Sequence, residues 1–237
     1  LVVNSMKISI NSLTFKYDDN VIFDKLRLTI KENKFTSIIM SNSKGKTTLS
    51  KILSGNIHTN KVSIDKIVST NLKDKVYLVS KENDFDSIIK NIKLNENLNQ
   101  VLSKFKLDNI LEIDDLNIHE KVTISLVNAL VNKYEIIVLD DVYNLIDIDI
   151  LKKLKDITVI NITSDIESTL ISNEVIFIDK KVVLKGSSKK VLTCESEIND
   201  LGFKLPFIIE LSNRLKFYDL IDKDYYDMKL LVDELWK

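Results

Sequence analysis

Ser41-Asn42-Ser43-Lys44-Gly45-Lys46-Thr47-Thr48, set between the apolar run Phe35 to Met40 and a short amphipathic segment, reads as a phosphate-binding loop with most of its glycines replaced. Gly45-Lys46 followed by two threonines is the part of such a loop that touches phosphate and magnesium, which points to a nucleoside triphosphate as ligand. In the strict pattern G-x-x-x-x-G-K-[ST] the first glycine falls at Met40, and the additional mid-loop glycine of many such loops falls at Ser43. Lys34 to Met40 reads as a strand. Lys46 to Ser54 reads as a helix ended by Gly55, with Leu49, Ile52 and Leu53 on one face. In that order of strand, loop and helix, the backbone N–H groups from Ser41 to Lys46 and the helix start present donors and a positive dipole end to a β-phosphate. Lys46 is expected to reach the β and γ phosphates and Thr47 to place its hydroxyl on Mg2+. Side chains at Met40 and Ser43, where glycine permits unusual dihedrals, predict a weakened affinity.

A second motif strengthens the first. Ile136-Ile137-Val138-Leu139 followed by Asp140-Asp141 fits a buried parallel strand that delivers acids to its C-terminal edge, where ligands of α/β sheets sit. Asp140 is expected to hold the metal through water. Asp141 occupies the place of a general base or water-positioning acid, one methylene shorter than glutamate.

Alternation from residue 6 to 15, the turn Asp18-Asp19-Asn20 and alternation again from Val21 to Ile30 predict an N-terminal β-hairpin. Leu1 to Ser5 reads as a tag remnant or an alternative start. Further strands are expected at Lys75 to Val79, Glu135 to Leu139, Thr158 to Thr163, Glu174 to Asp179 and Lys181 to Lys185. Leu98, Val101, Leu102 and Phe105 recur at helical spacing inside a block from Glu82 to Glu120, which reads as an inserted helical lobe. Pro206 opens one C-terminal helix and Asp227 caps another. The expected organisation is an α/β domain over 1–200, with the lobe at about 82–120, and a helical extension over 201–237.

Composition bounds the function. The 237 residues, 44% of them hydrophobic, suffice for one full α/β core. Thirty-four basic against 35 acidic residues give a net charge of −1, which argues against nucleic acid as a partner. The single cysteine, Cys194, forms no internal disulfide, so a reducing compartment is the simpler reading. No apolar run approaches the roughly 18 residues of a membrane span, and no secretory leader is read at the start. His58 and His119 have no neighbouring ligand set for zinc. None of Asn33-Lys34, Asn60-Lys61 or Asn132-Lys133 has aspartate in the fourth place, which removes a GTPase reading.

On these motifs the chain resembles the nucleotide-binding subunits of ABC transporters over nearly its whole length, implying a P-loop fold of ABC type with an N-terminal antiparallel β subdomain, a mixed core sheet and a shortened helical lobe. Phe15-Lys16-Tyr17 matches the family's adenine-stacking aromatic, which assigns Tyr17. Lys185 to Leu192, Leu201-Gly202-Phe203-Lys204-Leu205-Pro206 and the Glu210-Leu211 helix are similar to the tail of energy-coupling factor ATPases. The resemblance implies ATP and Mg2+ as cofactors, and a second ABC ATPase subunit, identical or not, with a transmembrane scaffold as partners. It also implies a cytoplasmic location, peripheral on the inner membrane face. Departures are as informative. The Leu-Ser-Gly-Gly-Gln signature falls on Leu116-Asn117-Ile118-His119-Glu120, keeping only the leucine. The glutamine after the Val76 strand becomes Lys81, the γ-phosphate histidine becomes Ser164, and the proline after the acids becomes Val142, whereas Asp147 retains the D-loop aspartate. Slow or absent hydrolysis is the expectation. The alternatives are a soluble nucleotide-binding regulator or decayed paralogue and, less favoured by the near-neutral charge, an ATPase acting on DNA or ribosomes.

Overall fold

A computed structural model describes residues 7–236 apart from 65, 66, 69–71, 94, 113, 114 and 155, so the reading of Leu1 to Ser5 lies outside the described residues. The N-terminal alternation becomes an antiparallel hairpin of β1 (Lys7–Tyr17) and β2 (Asn20–Lys31), with Tyr17 opposite Asn20 at the turn and Lys7 opposite Lys31 at the far end. Asp18 sits at φ 49° in that turn, a left-handed position that a short polar side chain tolerates. β3 (Phe35–Ile39) is buried along its whole length and leads through the loop into α1 (Lys46–Leu53).

Two short strands, β4 (Val62–Ile64) and β5 (Ile67–Val68), extend the hairpin into a four-stranded sheet of order β2-β1-β4-β5. β6 (Val76–Val79) is followed by α2 (Phe85–Ile92), α3 (Leu98–Phe105) and α4 (Ile118–Val131). Next come β7 (Ile136–Asp140), α5 (Ile148–Lys152), β8 (Thr158–Thr163), β9 (Glu174–Asp179) and β10 (Lys181–Ser187). The chain ends through α6 (Ser188–Val191), α7 (Glu195–Asp200), α8 (Phe207–Phe217) and α9 (Met228–Leu235), the last two opened by Pro206 and Asp227 as expected. Strands β10-β9-β3-β8-β7-β6 form a mixed sheet, parallel except for the final β9–β10 pair.

Packing explains this order. Leu49, Ile52 and Leu53 of α1 are buried between the hairpin sheet, through Ile10, Phe23 and Leu26, and one face of the core sheet, through Ile38, Val138 and Ile160. The start of α1 is thereby held by both sheets, and each fully buried leucine is worth about 1.5–3 kcal/mol relative to exposure. On the opposite face Val122, Leu126 and Ala129 of α4 cover Ile137, Leu139 and Val159. The other side of α4, Ile124, Val127 and Val131, carries Ile92 of α2 and Leu98 and Leu102 of α3. The helical segment therefore continues past Glu120 to Val131. The C-terminal helices pack through Ile208, Ile209 and Leu231 on Val175 and Phe177 of β9.

Candidate functional site

Because β8 lies between β3 and β7, with Ile39 opposite Thr163 and Asp140 opposite Ile162, the loop after β3 and the acids after β7 leave the same edge of the sheet. At the loop's centre Gly45 takes φ 95°, and a Cβ there would collide with the Ile22 side chain of β2. Glycine is thus required twice, for its dihedral and for the approach of the hairpin sheet. Ser43 also lies in the left-handed region, at φ 62°, so the dihedral expected of the missing mid-loop glycine is kept by a serine. Met40 is different: its side chain is fully buried in the core beneath α1, and its φ is not left-handed.

Lys46, 8% exposed, turns its ammonium back over the loop, where Nζ donates to Asn42 Oδ1 at 2.6 Å and lies 3.5 Å from Asp141 Oδ2. Asp141 is in the left-handed region at φ 54°, and its Oδ1 accepts from Thr163 Oγ1 at 3.3 Å. Both of its carboxylate oxygens are therefore engaged. Asp140 is buried, and Ser50 Oγ lies 3.0 Å from its Oδ1 and 3.0 Å from the Lys46 carbonyl oxygen, sharing one proton between them. Burial pushes the Asp140 carboxyl up from its ordinary value. Hydrogen bonds from Ser50 and the exposed Thr47 pull it back, and the charges of Asp141 and Glu82 add to the upward push. A cation beside Thr47 and Asp140 would relieve that imbalance.

Tyr17, half-exposed at the end of β1, brings its hydroxyl within 3.3 Å of Thr48 Oγ1 and stands edge-on to Phe15. Lys44 turns away to Asp179, 3.2 Å distant, while Ser41 is half-buried at the loop's entry. Helix α1 begins with no side-chain cap on its N-terminus. Its first N–H groups are left for the loop and whatever the loop holds. Sequence reasoning missed Ser50, Thr163 and Ile22. The first recurs one helical turn after Lys46, a spacing that would have placed it beneath the lysine.

The signature positions have another local logic. Asn117 is the N-cap of α4: its Oδ1 accepts from His119 N at 2.9 Å and Glu120 N at 3.1 Å, while Glu120 Oε2 accepts from Asn117 N at 2.7 Å. This capping box closes the helix start with its own side chains and adds a carboxylate there. Asp147 likewise caps α5, accepting from Asp149 N at 2.7 Å. Val142 is fully buried, Lys81 is exposed and Ser164 is half-buried.

A lysine-bearing glycine loop from a central parallel strand into a helix, faced by an acid from the next strand but one, defines a P-loop nucleotide-binding protein. A family model described as ABC transporter matches residues 23–144, and the chain belongs to that family. It is 30% identical to the energy-coupling factor transporter ATP-binding protein EcfA of Onion yellows phytoplasma, over 97% of this chain and 98% of that protein. It is 27% identical to the protein of the same name from Pediococcus pentosaceus, over 88% of each. Among solved structures, cbiO1 from Clostridium perfringens, described as part of the ABC transporter complex cbiONQ, superimposes with a TM-score of 0.65 at 19% identity, covering 87% of this chain and 98% of that one. The fold is that of an ABC ATPase, and the family's name for its relatives places this chain with the energy-coupling factor type.

Proposed function

We propose that this chain is an ATP-binding subunit of an energy-coupling factor importer and that it binds Mg-ATP at Ser41–Thr48 while hydrolysing it slowly. The observation that carries the reading is the gathering of Lys46, Thr47, Ser50 and Asp140 at one sheet edge, beside an uncapped helix start. The loop's backbone donors and Lys46 serve the phosphates, and Tyr17, exposed at the end of β1, offers a ring face for the base. Thr47 would offer a hydroxyl oxygen to Mg2+ and Asp140 a carboxylate that would hold the ion through water, hard oxygen donors of the kind this cation takes. Bound there, the ion would supply positive charge against the phosphates.

The catalytic side is weaker. Asp141 has both oxygens committed, to Lys46 and Thr163, and the residues in the glutamine and histidine places are Lys81 and Ser164. Loss of one group that stabilises a transition state costs about 10²- to 10³-fold, and further losses add less than their product. The relatives are transporter ATP-binding proteins, and no helix among the described residues is long and apolar enough to cross a membrane. A second ATPase subunit and a transmembrane scaffold are therefore the partners of this reading, with the chain held at the cytoplasmic face through them. Co-expression with candidate partners tests it: the chain is expected to be recovered with both an ATPase and a membrane scaffold. Recovery alone, with ATP still bound, would favour a free nucleotide-binding regulator.

A further inference from the structure

Two side chains compete for the cation that a triphosphate needs. Asn42 belongs to the loop itself and reaches Lys46 Nζ at 2.6 Å, while Asp141 approaches the same atom from the end of β7 at 3.5 Å. Asp141 is not loosely placed: its backbone is in the left-handed region and Thr163 Oγ1 donates to its second oxygen, which fixes the carboxylate's direction. Asp140, one residue earlier, bonds instead to Ser50 beneath the loop. The two neighbouring acids thus have different partners, one facing the metal side of the site and one facing the lysine.

Resting on the reading of this loop as a triphosphate site, we propose that Asp141 and Asn42 are positioning residues for Lys46. They form a two-point clamp on the ammonium with which nucleotide phosphates must exchange, and the clamp sets affinity. Lys46 is almost fully buried whereas the Asp141 side chain is 45% exposed, so the ion pair is partly screened and its loss is worth a modest factor. In this arrangement Asp141 acts through Lys46. It holds the ammonium in the loop's interior before a nucleotide arrives and is released by it.

The test is equilibrium binding of a fluorescent ATP analogue with Mg2+ to the full chain and to Asp141→Asn and Asn42→Ala, with thermal melting of each protein in the absence of nucleotide. Asp141→Asn keeps the shape and the bond from Thr163 but removes the charge, and is expected to bind about two- to fivefold tighter. Asn42→Ala removes an uncharged acceptor and keeps the loop backbone, and is expected to bind about two- to tenfold tighter. Each should melt at or below the temperature of the parent chain, since a clamp is lost, although binding improves. A purely structural role would lower melting and leave binding unchanged or weaker. Tightening by Asp141→Asn alone marks simple charge repulsion and overturns the clamp, as does tightening by Asn42→Ala alone. Unchanged or weaker binding by both variants beside a parent that binds overturns the clamp and leaves the loop reading standing. Absence of binding by the parent and both variants removes the loop reading and the clamp together.

Discussion

The starts of α1 and α4 are two helix N-termini, the first following the glycine loop and the second falling on the residues read as the signature, and they are finished in opposite ways. Helix α1 begins at Gly45 with no side-chain cap, a left-handed loop and a buried lysine folded over it. Helix α4 begins with a complete capping box, its first donors taken by Asn117 and its own Glu120 placed at the positive end of the dipole. An anion gains at the first and is repelled at the second. The difference separates two functions that a symmetric ATPase combines: holding a nucleotide in its own loop, and completing the partner's site with its signature segment. On the proposed reading, this chain serves the first and not the second.

Breaking α1 should have the largest effect. A side chain at Gly45 meets both the left-handed dihedral and Ile22, so Gly45→Val is expected to abolish nucleotide binding and to lower stability by several kcal/mol, checked by titration and by thermal melting. Asp140→Asn should remove the magnesium dependence of ATP binding, so that affinities measured with and without the ion converge; retained dependence would place the metal elsewhere. At α4, Asn117→Ala should cost about 1 kcal/mol, or roughly 2–4 °C in melting temperature, with ATP affinity unchanged. A fall in affinity there would join the two helix starts that the comparison separates. Ser43→Gly should have the smallest effect, because relief of a left-handed serine, about 1 kcal/mol, is largely offset by the backbone entropy that glycine loses on folding, so the melting temperature should move by about a degree with binding equal or tighter.

Much of this contrast was visible in the residues. The hairpin, the strand before the loop, α1, the acidic strand end and both C-terminal helices announce themselves through period, turn residues and caps. Helix α4 does not, because it is buried on two sides, against the core sheet and against α2 and α3, and nine of its fourteen residues are buried. A helix buried on two sides, with Thr123, Ser125 and Asn128 among its buried residues, carries no single one-sided apolar stripe to read. Its start was legible all the same: Asn117 with Glu120 three residues on is a capping box, and reading the segment only as a damaged signature obscured the helix it opens. The short strands β4 and β5 and the helices α6 and α7 are too brief to show a period. At the candidate site, spacing singled out Lys46, Thr47 and Asp140 as candidates, whereas the bonds from Ser50 to Asp140 and from Thr163 to Asp141 depend on the pairing of distant strands and on the depth of α1 between two sheets. Met40 illustrates the converse. The motif made it a lost glycine, but the core takes it as a buried side chain with no left-handed backbone.

The central claim is that the loop around Lys46 grips a magnesium-bound triphosphate. Equilibrium binding of ATP, with and without Mg2+, to the parent chain and to Lys46→Ala tests it most directly. The account predicts that the parent binds, more tightly with the ion, and that Lys46→Ala loses at least tenfold in affinity. Equal affinity in all four measurements would contradict it.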